Sequence, residues 1–62
     1  MNVVDCIGKI AKDTVTGYSG KVTGVAVYLT GSDRILIESI DTTNRPVDYW
    51  FDADRVVFYE EV

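Results

Sequence analysis

Ser19-Gly20-Lys21-Val22-Thr23-Gly24-Val25-Ala26-Val27-Tyr28-Leu29-Thr30-Gly31 is the stretch that decides the fold. Side chains alternate across a strand with a period of two. An extended reading of residues 19–29 therefore puts Gly20, Val22, Gly24, Ala26 and Tyr28 on one face and Lys21, Thr23, Val25, Val27 and Leu29 on the other. The first face is mostly small. Missing side chains let a strand bend sharply or let another strand cross it closely, as the corner of a compact barrel requires. Thr23-Gly24 and Thr30-Gly31 follow an earlier pair, Thr16-Gly17, at intervals of seven residues. An odd interval cannot set all three on one face of a flat strand, so they mark bends and strand ends.

Outward from that stretch, β-branched and aromatic residues dominate every apolar run, and a glycine or turn cluster interrupts each before a helical period is established. A first strand is expected over residues 4–12. It leads into the turn Asp13-Thr14-Val15-Thr16-Gly17, whose Asp can bond the local backbone and whose Gly tolerates positive φ. Thr30-Gly31-Ser32-Asp33 makes a hairpin turn into a third strand over 34–40. The polar loop Asp41-Thr42-Thr43-Asn44-Arg45-Pro46 precedes a fourth strand over 47–51. Asp52-Ala53-Asp54-Arg55 reads as one helical turn with Asp52 as its cap, and a last strand covers 56–60. The order predicts an all-β fold: a single domain over residues 1–62, built as a small five-stranded SH3-like barrel with one short 3₁₀ turn before the last strand. An OB-like barrel is the alternative, but it needs more residues and a helix between its third and fourth strands.

Sixty-two residues make a marginal domain, because a chain of this size buries only about 60% of the surface it exposes when unfolded. Hydrophobic residues make up 47% of it, more than so small a barrel can enclose, and surplus apolar surface usually meets a partner. The net charge of -4 disfavours nucleic acid and anionic membrane as partners. Residues 1–24 carry three lysines against two acids, whereas residues 25–62 carry three arginines against eight acids. The acidic surface thus belongs to the second half.

Cys6 is the only cysteine and histidine is absent, so neither an intrachain disulfide nor a Cys/His metal cage can form. A reducing, cytoplasmic setting fits, and no apolar stretch approaches the roughly 20 residues of a membrane span. Asp52 and Asp54, with Asp48 nearby, are the nearest approach to a cation or acid/base cluster, but a cap and a solvated neighbour of Arg55 explain them better. Cys6 lacks a base to activate it, as do Ser19, Ser32 and Ser39. The expectation is a non-enzyme with no cofactor and no metal.

Tyr18, Tyr28, Tyr49, Trp50 and Tyr59 are the more informative set, since aromatics at barrel edges build grooves for peptides, methylated side chains or bases. The competing expectation gives most of them core and subunit-interface roles. In Tyr49-Trp50-Phe51 the period of two turns Trp50 away from its neighbours, so at least one aromatic should lie outside the core. Val25-Ala26-Val27-Tyr28-Leu29 and Arg55-Val56-Val57-Phe58-Tyr59 are apolar on both faces. Self-association through Val25, Val27 and Leu29 would cover the second face.

The run Asp13-Thr14-Val15-Thr16-Gly17-Tyr18-Ser19-Gly20-Lys21-Val22-Thr23-Gly24, then Tyr28-Leu29-Thr30-Gly31 and Trp50-Phe51-Asp52 with Arg55, resembles a group of short, mostly uncharacterised proteins of tailed phages and prophages. The resemblance spans most of the chain after residue 12, and its motifs are structural. It implies an SH3-like fold and a phage origin, and it carries over no functional residue. Small acidic phage proteins of this kind often bind and obstruct host machinery.

Three functional expectations follow. The first is a non-enzymatic interaction module that forms a homo-oligomer and binds a host or phage protein, with Tyr18, Tyr28, Tyr49, Trp50, Arg34, Arg45 and Arg55 as candidate binding residues. The second is an oligomeric sponge for an anionic signalling nucleotide, held by Arg34, Arg45, Arg55 or Lys21 with stacking by a tyrosine or Trp50. The third is weak nucleic-acid binding through a patch of Lys9, Lys12 and Lys21, which the net charge disfavours.

Overall fold

The structure, a computed structural model, describes residues 3–59. Strands β1 (Ile10–Asp13), β2 (Ser19–Ala26), β3 (Arg34–Ile40), β4 (Pro46–Asp52) and β5 (Val56–Tyr59) form one antiparallel sheet in the order β4-β3-β2-β1-β5. The all-β fold is as the sequence predicts, and the 3₁₀ turn before β5 falls at Ala53–Arg55. Closure into a barrel is not part of the observed pairing: among the described residues β4 and β5 each bond to one neighbour and end the sheet. Residue 60, expected in the last strand, lies outside the described residues.

The first strand is corrected. It begins at Ile10, and Val3–Cys6 is a second 3₁₀ turn. Gly8, at φ 94°, takes the left-handed turn that only glycine enters without strain, and its N–H bonds the Val22 carbonyl at 2.9 Å. The detour swings Cys6 into the core, a tertiary gain that overrides the strand propensity of the valines.

The long strand is shorter than its composition suggests. β2 stops at Ala26, which pairs with Arg34 at the start of β3, so Val27, Tyr28 and Leu29 have no strand to pair with and enter the hairpin loop. Between Val22 and Gly24 the pairing with β3 slips by one residue. This bulge inverts the alternation: Val22 pairs with Ile37 on the core side, whereas Gly24 pairs with Leu36 on the opposite side. The predicted division of residues 20–29 into two faces therefore holds only up to the bulge.

Register assigns the rest. Ala11, Val22, Ile35, Ile37 and Val56 fill the inner face with Cys6, and Tyr18, Val25, Phe51 and Ala53 pack against them. Asp13 is the one buried charged residue on this face among the described residues. Gly20 lets β2 cross β3 closely, since a Cβ there would overlap the Glu38 carbonyl. The three Thr-Gly pairs fall at the β1–β2 turn, the bulge and the β2–β3 loop, with Gly17 and Gly31 at φ 82° and 91°.

Candidate functional site

The outer face of the sheet collects residues that face away from the core. Trp50 pairs with Leu36, which pairs in turn with Gly24. Trp50 therefore lies over the glycine, its Cη2 3.8 Å from where a Cβ on Gly24 would stand. The indole remains 49% exposed. Two residues along the same face, Arg34 pairs with Asp52, and the Arg34 Nε lies 3.4 Å from Asp52 Oδ1. Both side chains are more than half exposed, so solvent screens the pair and it adds little to stability.

Beside this pair the β2–β3 loop folds over the sheet end. Tyr28, Thr30, Gly31 and Ser32 join Arg34 and Asp52 around an open groove of about 460 Å³. Asp54 holds the loop from the far side by accepting the Ser32 hydroxyl at 2.9 Å. Ala53 N–H bonds the Asp33 carbonyl at 2.8 Å and ties the 3₁₀ turn to the same loop. Tyr28, Thr30 and Gly31 thus meet Asp52, distant in sequence, at one end of the outer face.

Of the residues singled out from sequence, Tyr28 and Arg34 come together here, and Trp50 lies on the same face two residues along β4 from Asp52. Tyr18 and Tyr49 do not. Both sit on the inner face, their rings edge to face at 5.4 Å, with Phe51 5.5 Å from Tyr18. The half-buried Tyr18 donates its hydroxyl to the Val47 carbonyl at 3.0 Å, and burial pushes its pKa up. Arg45 belongs to the opposite end of the sheet, in the β3–β4 turn, where its Nε bonds Thr43 Oγ1 at 3.1 Å. Arg55 is engaged below the sheet end: its Nη2 donates to Asp13 Oδ2 at 2.9 Å, and its guanidinium lies 5.7 Å from the Phe51 ring centre.

The face predicted from Val25, Val27 and Leu29 does not form. Val25 packs against the core, and Val27 and Leu29 stand in the loop, Leu29 fully exposed. The bulge and the early end of β2 separate them. Asp52 is also corrected: its side chain caps no N–H of the 3₁₀ turn but faces Arg34 instead. Asp52, Leu36 and Gly24 are the site residues that sequence reasoning missed, because their convergence depends on register across three strands.

Two features bear on chemistry. Burial is the largest influence on Cys6 and pushes its thiol up, which keeps it protonated and non-nucleophilic. Among the described residues no cluster of three or more acidic or cysteine side chains is placed to hold a metal ion, and no helix is long and apolar enough to cross a membrane. No family model matches the chain, and no curated protein and no solved structure matches it.

Proposed function

We propose that this protein is a non-enzymatic interaction module of the phage type, which self-associates and binds a host or phage protein through the outer face of its sheet. Trp50 carries the reading. A rigid indole seated over a glycine with half its surface in water is the kind of anchor that dominates protein interfaces. Tyr28 and Arg34 stand on the same side, and Trp, Tyr and Arg are the residue types enriched among interface hot spots. The chain has no histidine to serve as a general base. The host cytoplasm is the compartment in which such a module would act.

Trp50 is the only tryptophan, so its fluorescence reports this face alone. Trp50→Ala is expected to leave the melting temperature within about 5 °C of wild type, as a surface substitution does. It should reduce capture of a partner from host lysate by about tenfold or more, the loss typical of a hot spot. Equal capture by the variant would sink the assignment of this face.

A second reading draws on the groove. Tyr28 offers a ring for stacking and Arg34 a cation beside it, the pairing an oligomeric sponge for an anionic signalling nucleotide would use. On this reading a nucleotide from an anionic panel raises the melting temperature of wild type by about 2 °C or more and leaves Arg34→Ala unmoved. No shift with any nucleotide removes it.

A further inference from the structure

The two edges of the sheet differ. Along β4, Pro46 lacks an N–H, and Asp48 and Asp52 place charges where another strand would approach. These are devices that keep edge strands from pairing with another chain. β5 has none of them. Its four residues, Val56, Val57, Phe58 and Tyr59, are uncharged, favour strands and include neither proline nor glycine. Val57, Phe58 and Tyr59 are 41%, 40% and 50% exposed, and among the described residues β1 is the strand's only partner in the sheet.

Backbone geometry gives this edge a specific register. Thr14 N–H bonds the Arg55 carbonyl at 2.8 Å, one step beyond the Asp13–Val56 pair. Hydrogen-bonded and non-bonded pairs alternate along an antiparallel ladder. Val57 and Tyr59 therefore direct their peptide groups at β1, while Val56 and Phe58 direct theirs at the open edge. Asp13 agrees, since its N–H and carbonyl turn the other way, to Tyr18 and Gly17. The Val56 N–H is already donated to the Ala53 carbonyl. Phe58 is left as the residue of β5 whose N–H and C=O both point outward.

We infer that β5 pairs antiparallel with β5 of a second copy, about a twofold axis at Phe58. Each Phe58 N–H donates to the Phe58 carbonyl of the other copy, and Val57 stands opposite Tyr59 on the outer side at two equivalent places. A twofold axis normal to the sheet keeps inner and outer faces matched, so residues brought opposite each other must share a face. The register centred on Val57 would also match faces. It would, however, set Val56 against Phe58 as the bonded pair and need the Val56 N–H that Ala53 already holds. The product is one continuous ten-stranded sheet with Trp50 near its two outer ends. The inference rests on the self-association proposed above and names the strand that performs it.

Light scattering during size-exclusion chromatography at high micromolar concentration tests the stoichiometry, and cysteine cross-linking tests the register. Wild type should elute as a dimer and form no disulfide under mild oxidation, because Cys6 is buried. Phe58→Cys should cross-link at least about fivefold more than Val57→Cys or Tyr59→Cys, since bonded residues directly opposite lie about 5.5 Å apart at Cα, within disulfide range. If losing the Phe58 ring unfolds the chain, the double variant Val57→Cys/Tyr59→Cys should cross-link while neither single variant does. A dimer that cross-links through Val57→Cys alone, or through none of these, overturns the β5 register and leaves self-association standing. A monomeric wild type overturns both.

Discussion

Replacing Asp13 with alanine is expected to lower the melting temperature by more than about 15 °C, because removing one partner of a buried, hydrogen-bonded ion pair strands the other. The Asp13 carboxylate is fully buried and accepts Nη2 of Arg55 at 2.9 Å, the Thr16 N–H at 2.8 Å and the Thr16 hydroxyl at 2.6 Å. One side chain thus ties the β1–β2 turn to the 3₁₀ turn that starts β5, and the Thr14 N–H and hydroxyl reinforce the tie at the Arg55 carbonyl. Alanine leaves the guanidinium and the Thr16 donors facing a cavity. Thermal unfolding followed by circular dichroism measures the effect, and a fall of less than about 5 °C would show that water replaces the carboxylate at little cost.

The same residue sets the acid stability. Hydrogen bonds from Arg55, opposed by burial and aided by Thr16, hold the Asp13 carboxyl well below the usual carboxylate range. The folded state therefore releases this proton more readily than the unfolded state. Its contribution is fully present above the unfolded value of about 4 and is lost as pH falls below it toward the lower folded value. Asp41 acts with the same sign, lowered chiefly by the Thr43 hydroxyl and by the Arg45 N–H. Wild type should lose melting temperature steadily between about pH 5 and pH 2, and Asp13→Asn should show a shallower slope, to which Asp41 still contributes.

Gly20→Ala is expected to lower the melting temperature by about 10 °C or more, since an added methyl must displace neighbouring backbone and overpacking of this kind is costly. The obstacle is the Glu38 carbonyl in β3, which cannot move without breaking the sheet, with the Ser39 Cβ 3.1 Å away behind it. Gly24→Ala is the control. A Cβ there meets Leu36 Cδ2 at an ordinary 3.4 Å and Trp50 Cη2 at 3.8 Å. The melting temperature should stay within about 3 °C of wild type or rise, because alanine restricts the unfolded chain more than glycine does. Equal losses from the two substitutions would mean that glycine serves flexibility at both positions rather than a close strand crossing at Gly20.

Much of the strand pattern was legible because it is local. Residues 34–40 read as a strand and are one, β4 extends the expected 47–51 by one residue at each end, and the Asp13 turn closes on Gly17 as its residues suggest. Trp50 facing away from Tyr49 and Phe51 follows from alternation alone. Errors arose where a tertiary contact outweighs propensity. Val4 and its neighbours look like a strand until Gly8 turns the chain back onto Val22, and residues 27–29 look like a strand until β3 begins too late to pair with them.

Composition and alternation determined that this chain is an all-β sheet of short strands, that it lacks histidine chemistry, and that it has more apolar surface than it can enclose. Those properties are sums or short-period patterns, and each is fixed within a few residues of chain. The tertiary structure alone decided which residues share a face. One slipped residue between Val22 and Gly24 sends Gly24 beneath Trp50 while keeping Val25 in the core. It alone decided too that Asp13 meets Arg55 across 42 positions and that Asp52 meets Arg34. A bulge changes every later assignment of inside and outside, and an ion pair needs two strands in register. Neither leaves a mark in the local pattern that a single sequence displays.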